Sequence, residues 1–117
     1  MSYDIDLIDP KTKKPVKVEN HEEGGTYVLG GTEEASLNVT YNYSKHFYAH
    51  LDSEKGIRWL YGKTGEQVQE RLAKAITELG TVSDSDYWRD TPGNAGHALL
   101  ILLNWAVQHP TAVFKGD

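Results

Sequence analysis

Cysteine is absent from this chain, and with it go disulfides, thiolate metal sites and cysteine nucleophiles. Positive charge is scarce. Only 12 Lys and Arg stand against 17 Asp and Glu, for a formal net charge of -5. The one small basic cluster is Lys11, Lys13, Lys14 and Lys17. A non-specific nucleic-acid binder needs a basic stripe to displace counterions from phosphates, so nucleic acid is not expected as a partner. Long apolar runs are missing too. The longest, Ala98–Leu103, falls far short of the ~20 residues a membrane span needs, so no membrane association is expected. Met1-Ser2-Tyr3-Asp4 holds no basic segment leading into an apolar run, the mark of a signal peptide, and the expected location is cytoplasmic.

What remains is ordinary globular material. The 117 residues fit one domain, 1–117, and the composition, 38% apolar and 25% charged, is not that of a disordered chain. Three Trp, seven Tyr and two Phe supply bulk for a core.

The first third reads as strands. Tyr3, Ile5 and Leu7 alternate with Asp4, Asp6 and Ile8, Asp9-Pro10-Lys11-Thr12 is a turn signal, and Pro15–Val18 suits a returning strand, so the two form an expected hairpin. Gly24-Gly25 and Gly30-Gly31 bracket a β-prone segment, Thr26–Leu29. The cleanest alternation follows. Leu37, Val39, Tyr41 and Tyr43 share one parity and Ser36, Asn38, Thr40, Asn42 and Ser44 the other, which puts an apolar set and a row of amides and hydroxyls on opposite faces of a strand. Ser44 suits the cap of a short helix, Lys45–Leu51, with Phe47, Tyr48 and Leu51 as its stripe. Gly56–Gly62 is a compact apolar patch around Arg58, readable as a turn of helix or as a strand. Thr64–Leu79 is a helix: Thr64 and Gln67 match a capping box, Val68, Leu72, Ala75, Ile76 and Leu79 share a face, and Gly80 ends it. A polar loop, Thr81–Gly93, leads to Asn94 as the expected cap of a last, buried helix, Ala95–Gln108, and Thr111–Phe114 suits an edge strand. The expected fold is α+β: an antiparallel sheet from the N-terminal strands packed against two main C-terminal helices.

Candidate chemistry is sparse. His46 and His50 at i, i+4 have the spacing of two metal ligands, but Phe47 stands where a metalloprotease helix carries Glu, and two surface histidines are the plainer reading. No metal and no cofactor is expected. Gly62-Lys63-Thr64-Gly65 lacks the upstream glycine of a phosphate loop and reads as a helix start. His97 near the start of the last helix, with Asp84, Asp86 and Asp90 in the loop before it, has the makings of a general base held by a carboxylate. No Gly-x-Ser-x-Gly elbow accompanies it. Arg58 beside Trp59 and Tyr61 suits stacking on a planar group or gripping an anion, or else plain packing. A ligand site drawing on Asn42, Ser44, Arg58, Tyr61, Trp88, Asn94 and His97 is the expectation these segments support. Glu19, Glu22, Glu23, Glu33 and Glu34 form an acidic strip that suits a basic partner or a solvated rim.

The strings Thr40-Tyr41-Asn42-Tyr43-Ser44, Gly56-Ile57-Arg58, Leu60-Tyr61-Gly62-Lys63-Thr64-Gly65, Asp86-Tyr87-Trp88 and Thr91-Pro92-Gly93-Asn94-Ala95 resemble a group of small proteins carried by phages, prophages and bacteria, along most of the chain. The resemblance brings no catalytic residue. It implies a context of accessory proteins that act by binding, by occluding a host enzyme or sequestering a defence signal. The function expected is thus a non-enzymatic binding module for a small anionic or nucleotide-like ligand or for a host protein. A small hydrolase using His97 with a loop carboxylate, and an assembly protein of a virion that forms homo-oligomers, are the alternatives.

Overall fold

The computed structural model describes residues 2–24 and 27–117. Five strands and three α-helices follow in the order β1 (Ser2–Ile8), β2 (Lys17–Gly24), β3 (Tyr27–Glu34), β4 (Ser36–Thr40), α1 (Ser44–His50), α2 (Gly65–Leu79), α3 (Pro92–Gln108) and β5 (Val113–Gly116). β1 is the middle of a three-stranded antiparallel sheet ordered β4-β1-β5, and β2 and β3 form a separate two-stranded ribbon. The α+β architecture is as the sequence reading expects.

Parity builds the sheet. Tyr3 pairs with Val39, Ile5 with Leu37 and Leu7 with Phe114, and these side chains are all buried. Asp4 pairs with Asn38 and Asp6 with Ser36 and Lys115 on the opposite, polar face. The expected hairpin of β1 with Pro15–Val18 is corrected: a single bridge, Ile8 to Pro15, remains of it. The apolar face of β1 has to be covered, and Leu37, Val39 and Phe114 do so where the polar run Lys17-Val18-Glu19-Asn20-His21 offers little. The ribbon is instead rooted on the sheet by two backbone hydrogen bonds, in which Leu7 N–H donates to Ala35 C=O and Val16 N–H to Leu7 C=O, and a third, from Ala35 N–H to Val16 C=O, closes the base of the ribbon. Of the expected strand Thr26–Leu29, Thr26 lies outside the described residues, and the rest belongs to β3.

The strand expected through Ser44 stops at Thr40. The hydroxyl of Thr40 accepts the Asn42 N–H, and the chain turns into a 3-10 helix, Tyr41–Tyr43, that runs into α1. The polar row therefore holds for Ser36, Asn38 and Thr40 but not for Asn42 and Ser44. Gly56–Leu60, left open by the sequence, is a second 3-10 helix that buries Ile57 and Leu60 and exposes Arg58.

α2 starts on the expected capping box and turns Val68, Leu72, Ala75 and Leu79 inward. α3 begins earlier than expected. Thr91, not Asn94, is its cap, with Pro92 in the first turn, where the missing proline N–H costs nothing. α2 and α3 lie antiparallel, and a glycine permits close approach at each end. A β-carbon on Gly65 would strike the backbone of Ala106 and His109, and one on Gly96 the Gly80 carbonyl. The core gathers Phe47, Leu72, Leu99, Leu102 and Phe114 between these helices, α1 and the sheet. Among the described residues no helix is long and apolar enough to cross a membrane.

Candidate functional site

The residues singled out from the sequence fall into two groups. Arg58 and Tyr61 lie at the β5 edge. The Arg58 guanidinium stacks on Tyr3 at 5.0 Å and Tyr41 at 5.8 Å, and it donates to the Tyr41 hydroxyl and to the Asp117 carbonyl. Tyr61 also donates to that carbonyl at 3.2 Å, and burial raises its phenol pKa. Ser44 accepts from the Tyr3 hydroxyl at 2.6 Å while donating to the Tyr41 carbonyl. Trp59 does not stack on Arg58. It is flanked by Arg71 at 4.2 Å and Lys63 at 4.6 Å. This edge is a closed set of stacked rings and cations with its polar atoms engaged.

Asn42, Trp88, Asn94 and His97 belong to the other group, around the loop of residues 81–90. Asn94 is buried and fully used. It accepts the Asp84 N–H at 2.7 Å and donates to the carbonyls of Asp86 and Arg89 at 3.1 and 2.9 Å. Asn42 donates to the Trp88 carbonyl at 2.9 Å, and the Trp88 ring stands on Tyr87 and is 43% exposed. These amides are staples that shape the loop. His97 differs. It is exposed and has neither a hydrogen bond nor an ion pair among the described residues.

His97 and Asn94 line a cleft of about 320 Å³ that the structure opens between β4, β2, the loop and the first half of α3. Its floor is Leu37, Val39, Tyr43, Ala98 and Ile101, and its polar lining is His21, Glu22, Asn38, Ser83, Asp84, Tyr87, Asn94 and His97. The wall on the β4 side is an open strand edge. The Tyr87 hydroxyl closes one end, accepting the Thr40 N–H at 3.1 Å and donating to the Asn38 carbonyl at 3.0 Å. His21 closes the other, its Nε2 standing 2.9 Å from the Ser36 carbonyl while the ring packs on Trp105. Strand parity points the Asn38 N–H to the same side. Tyr43 anchors the loop by donating to the Tyr87 carbonyl. Burial raises the phenol pKa of both Tyr43 and Tyr87.

The loop carboxylates are spent away from His97. Asp84 accepts the Asp86 N–H and faces Arg89, and Asp86 accepts the Trp88 N–H. Asp90 meets Lys45 at 2.9 Å and His46 Nε2 at 2.7 Å, and the hydrogen bond from Lys45 in particular lowers its pKa. Among the described residues no hydroxyl or carboxylate is hydrogen-bonded to the His97 ring, so none of them forms a relay with it. His46 and His50 serve different carboxylates, Asp90 and Glu78. Among the described residues no group of three or more His, Cys, Asp or Glu could hold a metal ion.

Of the polar side chains in the cleft, Glu22, Ser83 and His97 alone have no partner among the described residues. Sequence reading found His97. It took Glu22 as part of a strip, of which the Glu23 side chain lies outside the described part, and passed over Ser83, which carries no local signal. Compared with protein-family models, with curated proteins and with solved structures, the chain matches none.

Proposed function

We propose that this chain is a non-enzymatic binding module, a cytoplasmic accessory protein that takes a small molecule, or a side chain projecting from a host protein, into the cleft between β4 and α3. One observation carries the reading. An apolar floor is rimmed by Glu22, Ser83 and His97, which have no side-chain partner among the described residues, whereas the other polar groups there are consumed internally. Ligand pockets have this composition: apolar walls and a few convergent polar groups that fix orientation. The resemblance to phage-borne accessory proteins supports binding over turnover by association. The unassisted state of His97 supports it physically, since a general base needs an orienting partner.

A fragment screen read by amide chemical shifts tests the proposal. Binding fragments are expected to move the amides of Asn38, Ser83, Asp84 and His97. Ala98→Trp, which fills the cleft from its floor, removes those responses while the circular dichroism spectrum stays native. Fragments that instead gather at Arg58 and Tyr61, or that bind the filled variant equally well, would overturn it.

A further inference from the structure

We infer that the ligand of this cleft is a cation, an ammonium or guanidinium group on a short apolar stem. The inference rests on the binding reading above and supplies its chemistry. It also reverses the sign of the anionic ligand that the sequence suggests.

Among the described residues the lining holds two carboxylates and no Lys or Arg. The Glu22 carboxylate is exposed and has no partner among the described residues. Asp84 does have one, Arg89 at 3.3 Å, but that side chain is 63% exposed and lies outside the cleft. Such a surface pair is worth well under about 1 kcal/mol and yields readily to a better-placed cation. The one guanidinium suited to gripping an anion, Arg58, is stacked on Tyr3 and Tyr41 at the other edge. The start of α3 is closed to anions as well. Pro92 has no N–H and the Thr91 hydroxyl takes that of Asn94, so two of the first-turn positions an anion would use are already lost to it. The net charge of -5 draws cations to the whole molecule. Inside, Val39, Ala98 and Ile101 suit an aliphatic stem, and Tyr87 lines the same cleft.

Two sources carry this chemistry: a free amine, or a Lys or Arg side chain of a partner protein. Three probes separate them in an NMR titration of the full chain. These are 2-phenylethylamine, its anionic counterpart 3-phenylpropionate, and Nα-acetyl-lysine-N-methylamide, which presents a lysine side chain on a backbone. Saturable shifts at Ser83 and His97 are expected with the amines and not with the acid. Glu22→Gln is expected to weaken the amines about threefold, the scale of one partly exposed ion pair. A preference for the lysine derivative assigns the source to a partner's side chain, a preference for phenylethylamine to a free amine, and either upholds the inference. Equal or tighter binding of the acid overturns it, as does a Glu22→Gln protein that binds amines unchanged. If these probes fail while neutral fragments still fill the cleft, the site stands and only its charge preference falls. If the fragments fail too, the binding reading falls with it.

Discussion

The edge around Arg58 and the cleft around His97 are built from the same kinds of residue, yet one is finished and the other is not. At the edge, rings and cations satisfy one another: Arg58 with Tyr3 and Tyr41, Trp59 with Lys63 and Arg71, Tyr61 with the Asp117 carbonyl. In the cleft, Asn94, Tyr87 and His21 are spent on backbone groups, while Glu22, Ser83 and His97 have no side-chain partner among the described residues. Polar and aromatic clustering marks both places. What separates them is whether the fold has already used the groups.

Asn94→Ala should have the largest effect. It leaves the Asp84 N–H and the Asp86 and Arg89 carbonyls without their partner, so a loss of about 2–3 kcal/mol in urea unfolding is expected. A variant of wild-type stability would show that the amide does not hold the loop. Alkali comes next. The phenols of Tyr43, Tyr61 and Tyr87 hold their protons above the ordinary value, chiefly through burial, so the unfolded chain ionises first. Stability should be intact below about pH 10 and fall as pH rises beyond it, by up to about 1.4 kcal/mol per pH unit for a phenol as buried as Tyr43. Tyr43→Phe should soften that slope in urea unfolding at a series of pH values. An unchanged slope would remove Tyr43 from the account.

Arg58→Ala should cost about 1 kcal/mol, the cation–ring contribution, and leave fragment binding in the cleft unaltered. Lost cleft binding in a folded Arg58→Ala protein would join the two regions again. His97→Gln should be the mildest for folding, within about 0.5 kcal/mol, because nothing in the fold leans on the ring. Its effect should appear in the fragment titration instead. A thermal unfolding midpoint that drops sharply would make His97 structural.

Local chemistry was legible in the sequence. Thr64 and Gln67 cap α2 because a capping box needs only residues three apart, and the stripe from Val68 to Leu79 needs only the helix period. Reading faltered where two local rules competed. Thr91-Pro92 outranked Asn94 as a start for α3, and Thr40 diverted an alternating run into a 3-10 helix. The site was half legible. His97 was visible as a histidine near the start of the buried last helix, but Glu22 and Ser83 join it only through the packing of ribbon, sheet and loop, which no short window of sequence contains.

The sheet order has a consequence for assembly. β1, synthesised before the other described elements, is central, and its second neighbour β5 is the last of them to leave the ribosome. The helical pair can associate early, but Ile5, Leu7 and Ile8 wait for Val113–Gly116 before that flank of the sheet closes. Pairings this distant along the chain are slow to form. The nascent protein is therefore expected to carry an unsealed sheet until translation of β5, and tethering that strand in the exit tunnel should delay the onset of its native fold.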